Sequence, residues 1–208
     1  MLGQATNGKR VSFDNECLIL VDEADEVQGH ASKVSVHRGD GKLHRAFSIF
    51  IFNGADRVLL HQRSKLKPLW PGFWTNSCCS HPREGESYEQ STRRRLQEEL
   101  GIDVPLTRLY QFEYRARYLD VGTEHELCSV YVGNVSEDWH IEPNNQEIQD
   151  WGWFDCNVLD DLIRNKPTRF TPWFRMEWER LRGDQYARVQ AICGASPANL
   201  HGAHTGAA

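Results

Sequence analysis

The segment SYEQSTRRRLQEELG, residues 87–101, constrains the fold more than any other stretch of the chain. Ser87 followed three residues on by Gln90 forms a capping box, and Gly101 supplies the C-terminal stop. One helix is therefore bounded at both ends by its own sequence, and what flanks it reads as strand. ECLILVDE (16–23) and FSIFIF (47–52) have the apolar character of buried strands, and NGAD (53–56) turns the chain into the strand RVLLHQR (57–63). SKLKPLWPGFW (64–74), with two prolines and a glycine, is loop. Beyond the helix, LTRLYQFEYRA (106–116), ELCSVYVGNV (126–135) and EIQDWGWF (147–154) are strands. Asp155 caps a helix over CNVLDDLIRN, and Thr171 with Pro172 opens another, TPWFRMEWERLRG, that stops at Gly183. Strands, one helix, strands and two helices predict an α+β domain with a mixed sheet and flanking helices. At 208 residues the chain fits one domain over 14–195; residues 1–13 and 196–208 are small and polar and read as disordered ends. His201 and His204 fall in that tail and are assigned to no site.

Charge and hydropathy exclude several classes of function. A net charge of −5 gives no general attraction for nucleic acid or an anionic membrane, so an anionic substrate needs local positive groups. No run of 18 apolar residues predicts a membrane span, and MLGQATNGKR lacks an apolar signal segment, so the expected location is cytoplasmic. The six cysteines of such a chain are expected as free thiols. A monomer acting on a small molecule is the favoured arrangement.

Two motifs carry the chemistry. TNSCCSHP (75–82) sets two cysteines side by side with His81 two positions on; alone it fits a nucleophile, a metal knuckle, half a disulfide or a filled turn. In GTEHELCSVY (122–131), Glu124, Glu126 and Cys128 are spaced by two, so a strand presents all three on one face and His125, Leu127 and Ser129 on the other. Stacked carboxylates repel unless a cation, a proton or solvent relieves them. His37 and His44, seven apart across a glycine-containing turn, complete with His81 a set of three histidines and two carboxylates suited to a divalent ion. Lys33, Arg63 and Lys67 are nearby positive groups that suit an anion.

From Ser80 the chain reads S-x5-E-x7-R-R-L-x-E-E-L-G-I, which resembles the Nudix box, G-x5-E-x7-R-E-U-x-E-E-x-G-U. Ser80 replaces the glycine and Arg95 replaces a metal-binding glutamate, so one metal ligand is exchanged for a diphosphate ligand on the same helix face as Glu99. The resemblance implies a Nudix-like mixed β-sheet sandwich that binds a diphosphate and hydrolyses it poorly. K-x3-H-x6-H-x-AFS, R-x3-K-x2-WPG-x-WTNS-x-C-x-HP, FEYRA, E-x-E-x-C and TPW together resemble the type 1 isopentenyl-diphosphate isomerases, from about Glu16 to Gly183. That resemblance implies interconversion of isopentenyl and dimethylallyl diphosphate by protonation and deprotonation through a carbocation.

It also implies the site. Cys79, Glu126, Tyr114 and Trp173 take the catalytic positions, and Lys33, Arg63, Lys67 and Arg95 the diphosphate contacts. His37, His44, His81, Glu124 and Glu126 are implied as ligands of Mn²⁺ or Zn²⁺, while Glu99 and the Cys79 backbone carbonyl hold a Mg²⁺ that bridges to the substrate. Cys78 is read as packing, and Trp70 or Trp74 as core or cavity wall. The competing readings are a Nudix diphosphohydrolase, disfavoured by Arg95, and a non-catalytic metal-binding module, which leaves Cys79 and the basic residues without a purpose.

Overall fold

The computed structural model describes residues 8–194 except Ala55 and Glu137. The expectation for the tail, with His201 and His204, lies outside the described residues, as does that for residues 1–7. In chain order the elements are β1 (Cys17–Val21), β2 (Val27–Ser32), the single turn α1 (Lys33–Val36), β3 (His44–Asn53) and β4 (Arg57–Arg63). The short strands β5 (Trp74–Thr75) and β6 (Cys78–Ser80) precede α2 (Tyr88–Leu100), and β7 (Thr107–Tyr118), β8 (Gly122–Val135) and β9 (Ile148–Asp155) follow it. The chain then runs through α3 (Cys156–Asn165), a 3-10 turn, α4 (Pro172–Arg182) and α5 (Tyr186–Gly194).

All nine strands join in one mixed sheet organised around β3. One edge of β3 runs parallel to β8, from His44 opposite Glu126 to Asn53 opposite Val135. Its other edge is shared in succession by β1 at His44, β6 at Phe47–Ile49 and β4 at Phe52–Asn53. FSIFIF is apolar on both faces because both faces are covered, as a strand inside a three-layer fold requires. Ala46, Phe50 and Phe52 pack with Leu159, Trp173, Phe174 and Trp178, so α3 and α4 close that side. Phe47, Ile49 and Ile51 pack with Leu96 and Leu100 of α2 on the other. A fully buried phenylalanine contributes about 2–3 kcal/mol of transfer free energy, and Phe47, Phe50, Phe52 and Phe174 pin the layers together.

Local signals set the element ends. Gln90 N donates to Ser87 Oγ at 3.1 Å and Ser87 N to Gln90 Oε1 at 2.9 Å, the reciprocal pair that the sequence predicts, and Gly101 closes α2 at φ 68°. Asp155 Oδ1 accepts from the Asn157 and Val158 amides at the start of α3. Thr171 precedes α4 but makes no capping bond; its hydroxyl meets Thr75 Oγ1 at 2.9 Å, tying α4 to β5.

The structure departs from the sequence reading in five elements and one segment; β5 and β6, of two and three residues, are too short to show a period. A third C-terminal helix, α5, follows Gly183 almost at once; it buries only Val189 and Cys193 and so carries little amphipathic signal. β2 is an exposed edge strand whose residues, VQGHAS, lack apolar alternation; it is specified by pairing with β1. α1 is one turn, too short to announce itself. Residues 8–13, read as part of a disordered end, have no regular structure but are tied to the domain by hydrogen bonds from Asn144 to Lys9, from Arg83 and Arg95 to Val11, and from Lys33 to Ser12. No described helix is long and apolar enough to cross a membrane.

Candidate active site

Strand periodicity separates the paired cysteines. On β6 the two side chains point to opposite faces: Cys78 packs with the α2-covered layer, while Cys79 packs with the α4-covered layer and lines a cavity of about 510 Å³. All six cysteines are free thiols, as expected. Trp70 and Trp74 are core, and Trp70 stands edge-on to Trp173 at 5.1 Å between ring centroids.

The three histidines gather at the end of the sheet where β3 and β8 begin. His44 starts β3, with Glu126 directly opposite on β8. His37 closes α1, and His81 follows β6. The chain can bring β8 beneath α1 because residue 122 is glycine: a Cβ there would lie 2.7 Å from the His37 carbonyl oxygen, which accepts from the Thr123 amide at 2.9 Å. The imidazole centroids lie 4.9–5.5 Å apart. His37, His44, His81, Glu124 and Glu126 each bring one donor atom within 4.8 Å of all the others.

This donor set fits a divalent cation. His37 Nδ1 stands 2.6 Å from the Lys33 carbonyl and His44 Nδ1 stands 2.8 Å from the Lys42 carbonyl. A carbonyl only accepts, so Nδ1 carries a proton in both rings and Nε2 is the atom that faces the cluster, the arrangement metal-binding histidines use. His44 Nε2 is buried and has no hydrogen-bond partner. Burial first, then the neighbouring His37, holds His44 down at about 3, so it stays neutral. His37 Nε2 lies 2.7 Å from Glu124 Oε2, and His81 Nε2 lies 3.0 Å from Glu126 Oε1.

The two carboxylates are unlike. Burial opposes ionisation of Glu124, but the His37 ring beside it prevails and holds the carboxyl at about 2. Glu126 is raised well above the ordinary range by burial and by the negative charge of Glu124. Tyr114, opposite Glu126 on β7, donates its phenol to Glu126 Oε2 at 2.6 Å. Burial pushes the Cys79 thiol up to about 12 against the pull of Arg63, whose Nη1 lies 3.9 Å from the sulfur.

Cys79, Glu126, Tyr114 and Trp173 all line the one cavity, and so do Lys33, Arg63, Lys67 and Arg95. His37, His81 and Glu124 reach its wall as well, whereas His44 and Glu99 stand behind it. Glu99 accepts from Arg95 Nε at 3.0 Å and Nη2 at 2.5 Å. Glu86, just before α2, pairs with Arg94 of that helix at 2.6 Å, so two more residues of the Nudix-like pattern form a structural ion pair.

Two acidic residues at the site carry no recognisable sequence signal. Glu147, at the turn into β9, ion-pairs with Lys67 and approaches Arg95 Nη2 at 3.4 Å; burial opposes its ionisation, but Lys67 and Arg95 hold it at about 2. Glu177 of α4 is fully buried, with Oε1 3.6 Å from Cys128 Sγ, and burial raises it to about 8. A lone Glu at a strand or helix position has no spacing to mark it; only the packing of α4 and β9 against the sheet puts these two beside the site.

The fold and the box on α2 define the class: a model of the NUDIX domain matches residues 42–174, and this is a NUDIX-domain protein. The solved DR0079 protein of Deinococcus radiodurans shares the fold, with a TM-score of 0.60 at 23% identity over 85% of this chain and 99% of that one. Within the class, the chain belongs to the isopentenyl-diphosphate Delta-isomerase family. It is 42% identical to Isopentenyl-diphosphate Delta-isomerase 1 of Photorhabdus laumondii over 84% of this chain and 99% of that protein. It is 44% identical to the Isopentenyl-diphosphate Delta-isomerase of Serratia proteamaculans over 77% of this chain and 88% of that one.

Proposed function

We propose that this protein interconverts isopentenyl diphosphate and dimethylallyl diphosphate, with Cys79 and Glu126 as its two proton-transfer groups. The observation that carries the reading is that a half-buried thiol and a buried carboxyl face one cavity whose wall also holds Lys33, Arg63, Lys67 and Arg95. An unactivated alkene is a poor base, so a positioned acid must protonate its terminal carbon, C4. The tertiary cation formed at C3 then loses a proton from C2 to a base, which moves the double bond. Water would quench that cation, and the partly enclosed cavity limits its access.

Each side chain has a part in this scheme. Burial keeps Cys79 as a thiol at neutral pH, the form that holds a proton. Tyr114 holds Glu126 Oε2 and offers its hydroxyl as a relay for the carboxyl proton. Trp173 presents an indole to the cavity, and an aromatic face near a desolvated cation is worth up to about 2 kcal/mol. Arg63, Lys67, Arg95 and Lys33 hold the diphosphate and so fix the five-carbon chain between sulfur and carboxyl.

Mn²⁺ or Zn²⁺ is the ion proposed for His37, His44, His81, Glu124 and Glu126, where it supplies a positive charge that favours the ionised form of Glu126. Glu99 and the Cys79 carbonyl are the groups that would hold a Mg²⁺, which would supply further positive charge for the diphosphate. The substrate is a free small molecule in the cytoplasm; a net charge of −5 supports a protein that depends on local cations for binding an anion. Incubation with isopentenyl diphosphate should yield an acid-labile allylic diphosphate. Release of phosphate or pyrophosphate without that product would overturn the reading in favour of a hydrolase.

A further inference from the structure

The residues just before β1 form part of the cavity wall, and the sequence offers no motif there. Gly8 N donates to Asn145 Oδ1 at 3.1 Å, and Asn144 Nδ2 donates to the Lys9 carbonyl at 2.8 Å. The Val11 carbonyl accepts from Arg95 Nη1 at 2.9 Å and from Arg83 Nη2 at 3.2 Å. The Ser12 hydroxyl accepts from Lys33 Nζ at 2.5 Å. The segment is thus held at four points, and two of the groups that hold it, Lys33 and Arg95, are cations assigned above to the diphosphate.

Arg10 brings a further charge to the same place. Its Nε donates to the Ser12 carbonyl at 3.0 Å, while the Ser12 hydroxyl takes Lys33, so two cationic side chains meet on one residue. Phe13 supports the guanidinium from below at 5.3 Å. The nearest carboxylate, Asp14 at 3.8 Å, forms an exposed pair with it, 59% and 81% accessible, which is a weak counter-charge. Arg10, Ser12 and Asp14 all line the cavity. Lys33 keeps a partner in Glu16 at 3.2 Å, whereas Arg10 has, among the described residues, only the exposed Asp14, and its guanidinium matches phosphate oxygens with two parallel donors.

We propose that Arg10 is a fifth diphosphate-binding residue, delivered by the segment Gly8–Asp14 and acting on the outer phosphate beside Lys33. The proposal rests on the reading of the site as one for a prenyl diphosphate. Arg10 touches only the phosphate end, so its effect falls on binding and not on the proton transfers at Cys79 and Glu126.

The test compares the full-length protein with its Arg10→Ala and Arg10→Lys variants. Calorimetry measures binding of inorganic pyrophosphate with Mg²⁺, and kinetics measure KM and kcat for isopentenyl diphosphate. Arg10→Ala should weaken pyrophosphate binding by about 3- to 10-fold and raise KM by a similar factor, with kcat within about twofold. Arg10→Lys, which keeps the charge, should recover most of the loss. Unchanged pyrophosphate affinity in Arg10→Ala would overturn the proposal, and so would equal losses in both variants accompanied by a lower Tm, which would mark a structural role. If the parent protein fails to isomerise but its pyrophosphate affinity still depends on the charge at residue 10, the catalytic reading fails and the phosphate contact stands. Isomerisation with KM and pyrophosphate affinity indifferent to Arg10 sinks the contact alone.

Discussion

Tyr114 and Glu126 face each other across the β7–β8 ladder, and the phenol donates to the carboxyl at 2.6 Å. The other oxygen of Glu126 meets His81 at 3.0 Å, so the carboxyl is fixed from both sides before any substrate enters. One face of that group belongs to the histidine cluster and the other to the cavity. This pairing ties the metal-capable end of the site to the proposed proton-transfer end.

Removing the phenol should therefore slow the reaction without emptying the histidine cluster. Tyr114→Phe is expected to lower kcat by about 10- to 100-fold while bound metal per chain stays unchanged. Steady-state kinetics alongside elemental analysis check this; a parallel loss of metal would assign Tyr114 to building the cluster instead.

Chelation should abolish isomerisation, and Mn²⁺ or Zn²⁺ supplied with Mg²⁺ should restore it. His44→Ala, which deletes the inward-facing Nε2, should lower metal content even at saturating supply. Metal analysis by mass spectrometry with rate measurement decides. A stripped protein of undiminished rate would remove the metal from the account.

Arg95 is 2% exposed and sits between Glu99 and Glu147, so its loss strands the buried Glu99 carboxylate and leaves Glu147 with Lys67 alone. Arg95→Ala should destabilise the ligand-free protein by about 3–5 kcal/mol, and adding Glu99→Gln should return part of that. Urea unfolding of the single and double variants measures it. Additive losses would show that the two side chains do not interact.

How far the sequence carried the fold follows from where each signal resides. The Ser87–Gln90 box, the Gly101 stop, the Asp155 cap and the apolar run of β3 are local, and the structure holds each of them. The alternation of Glu124, Glu126 and Cys128 is also local, and it put both carboxyls on the cavity side of β8. His37, His44 and His81 were different: their meeting depends on β3 pairing with β8 along one edge and with β6 along the other, a tertiary fact reached through family resemblance. Glu147, Glu177 and Arg10 lay outside every motif because only packing brings them to the site. β2 and α5 were missed because an exposed edge strand and a weakly amphipathic short helix have little periodicity to read.

Glu177 predicts a pH dependence of stability. Burial raises its folded value to about 8 from an ordinary 4.5, so the fold prefers the protonated form. Its contribution is complete below about 4.5 and is lost as pH rises toward 8, at up to about 1.4 kcal/mol per pH unit. Glu177→Gln cannot ionise, so its stability should fall less than the parent's between pH 6 and 8. Urea midpoints across that window check this, and parallel profiles would mean that Glu177 is not held neutral.

The central claim is that Cys79 and Glu126 move protons on and off one five-carbon chain. The most direct measurement is proton NMR of isopentenyl diphosphate in heavy water, with the parent protein and with Cys79→Ala. The parent should form the dimethylallyl isomer with deuterium entering at C4 and, by reversal, at C2, while Cys79→Ala should bind the diphosphate and incorporate none. Deuterium entry at an undiminished rate in Cys79→Ala, or none in the parent, would contradict the account.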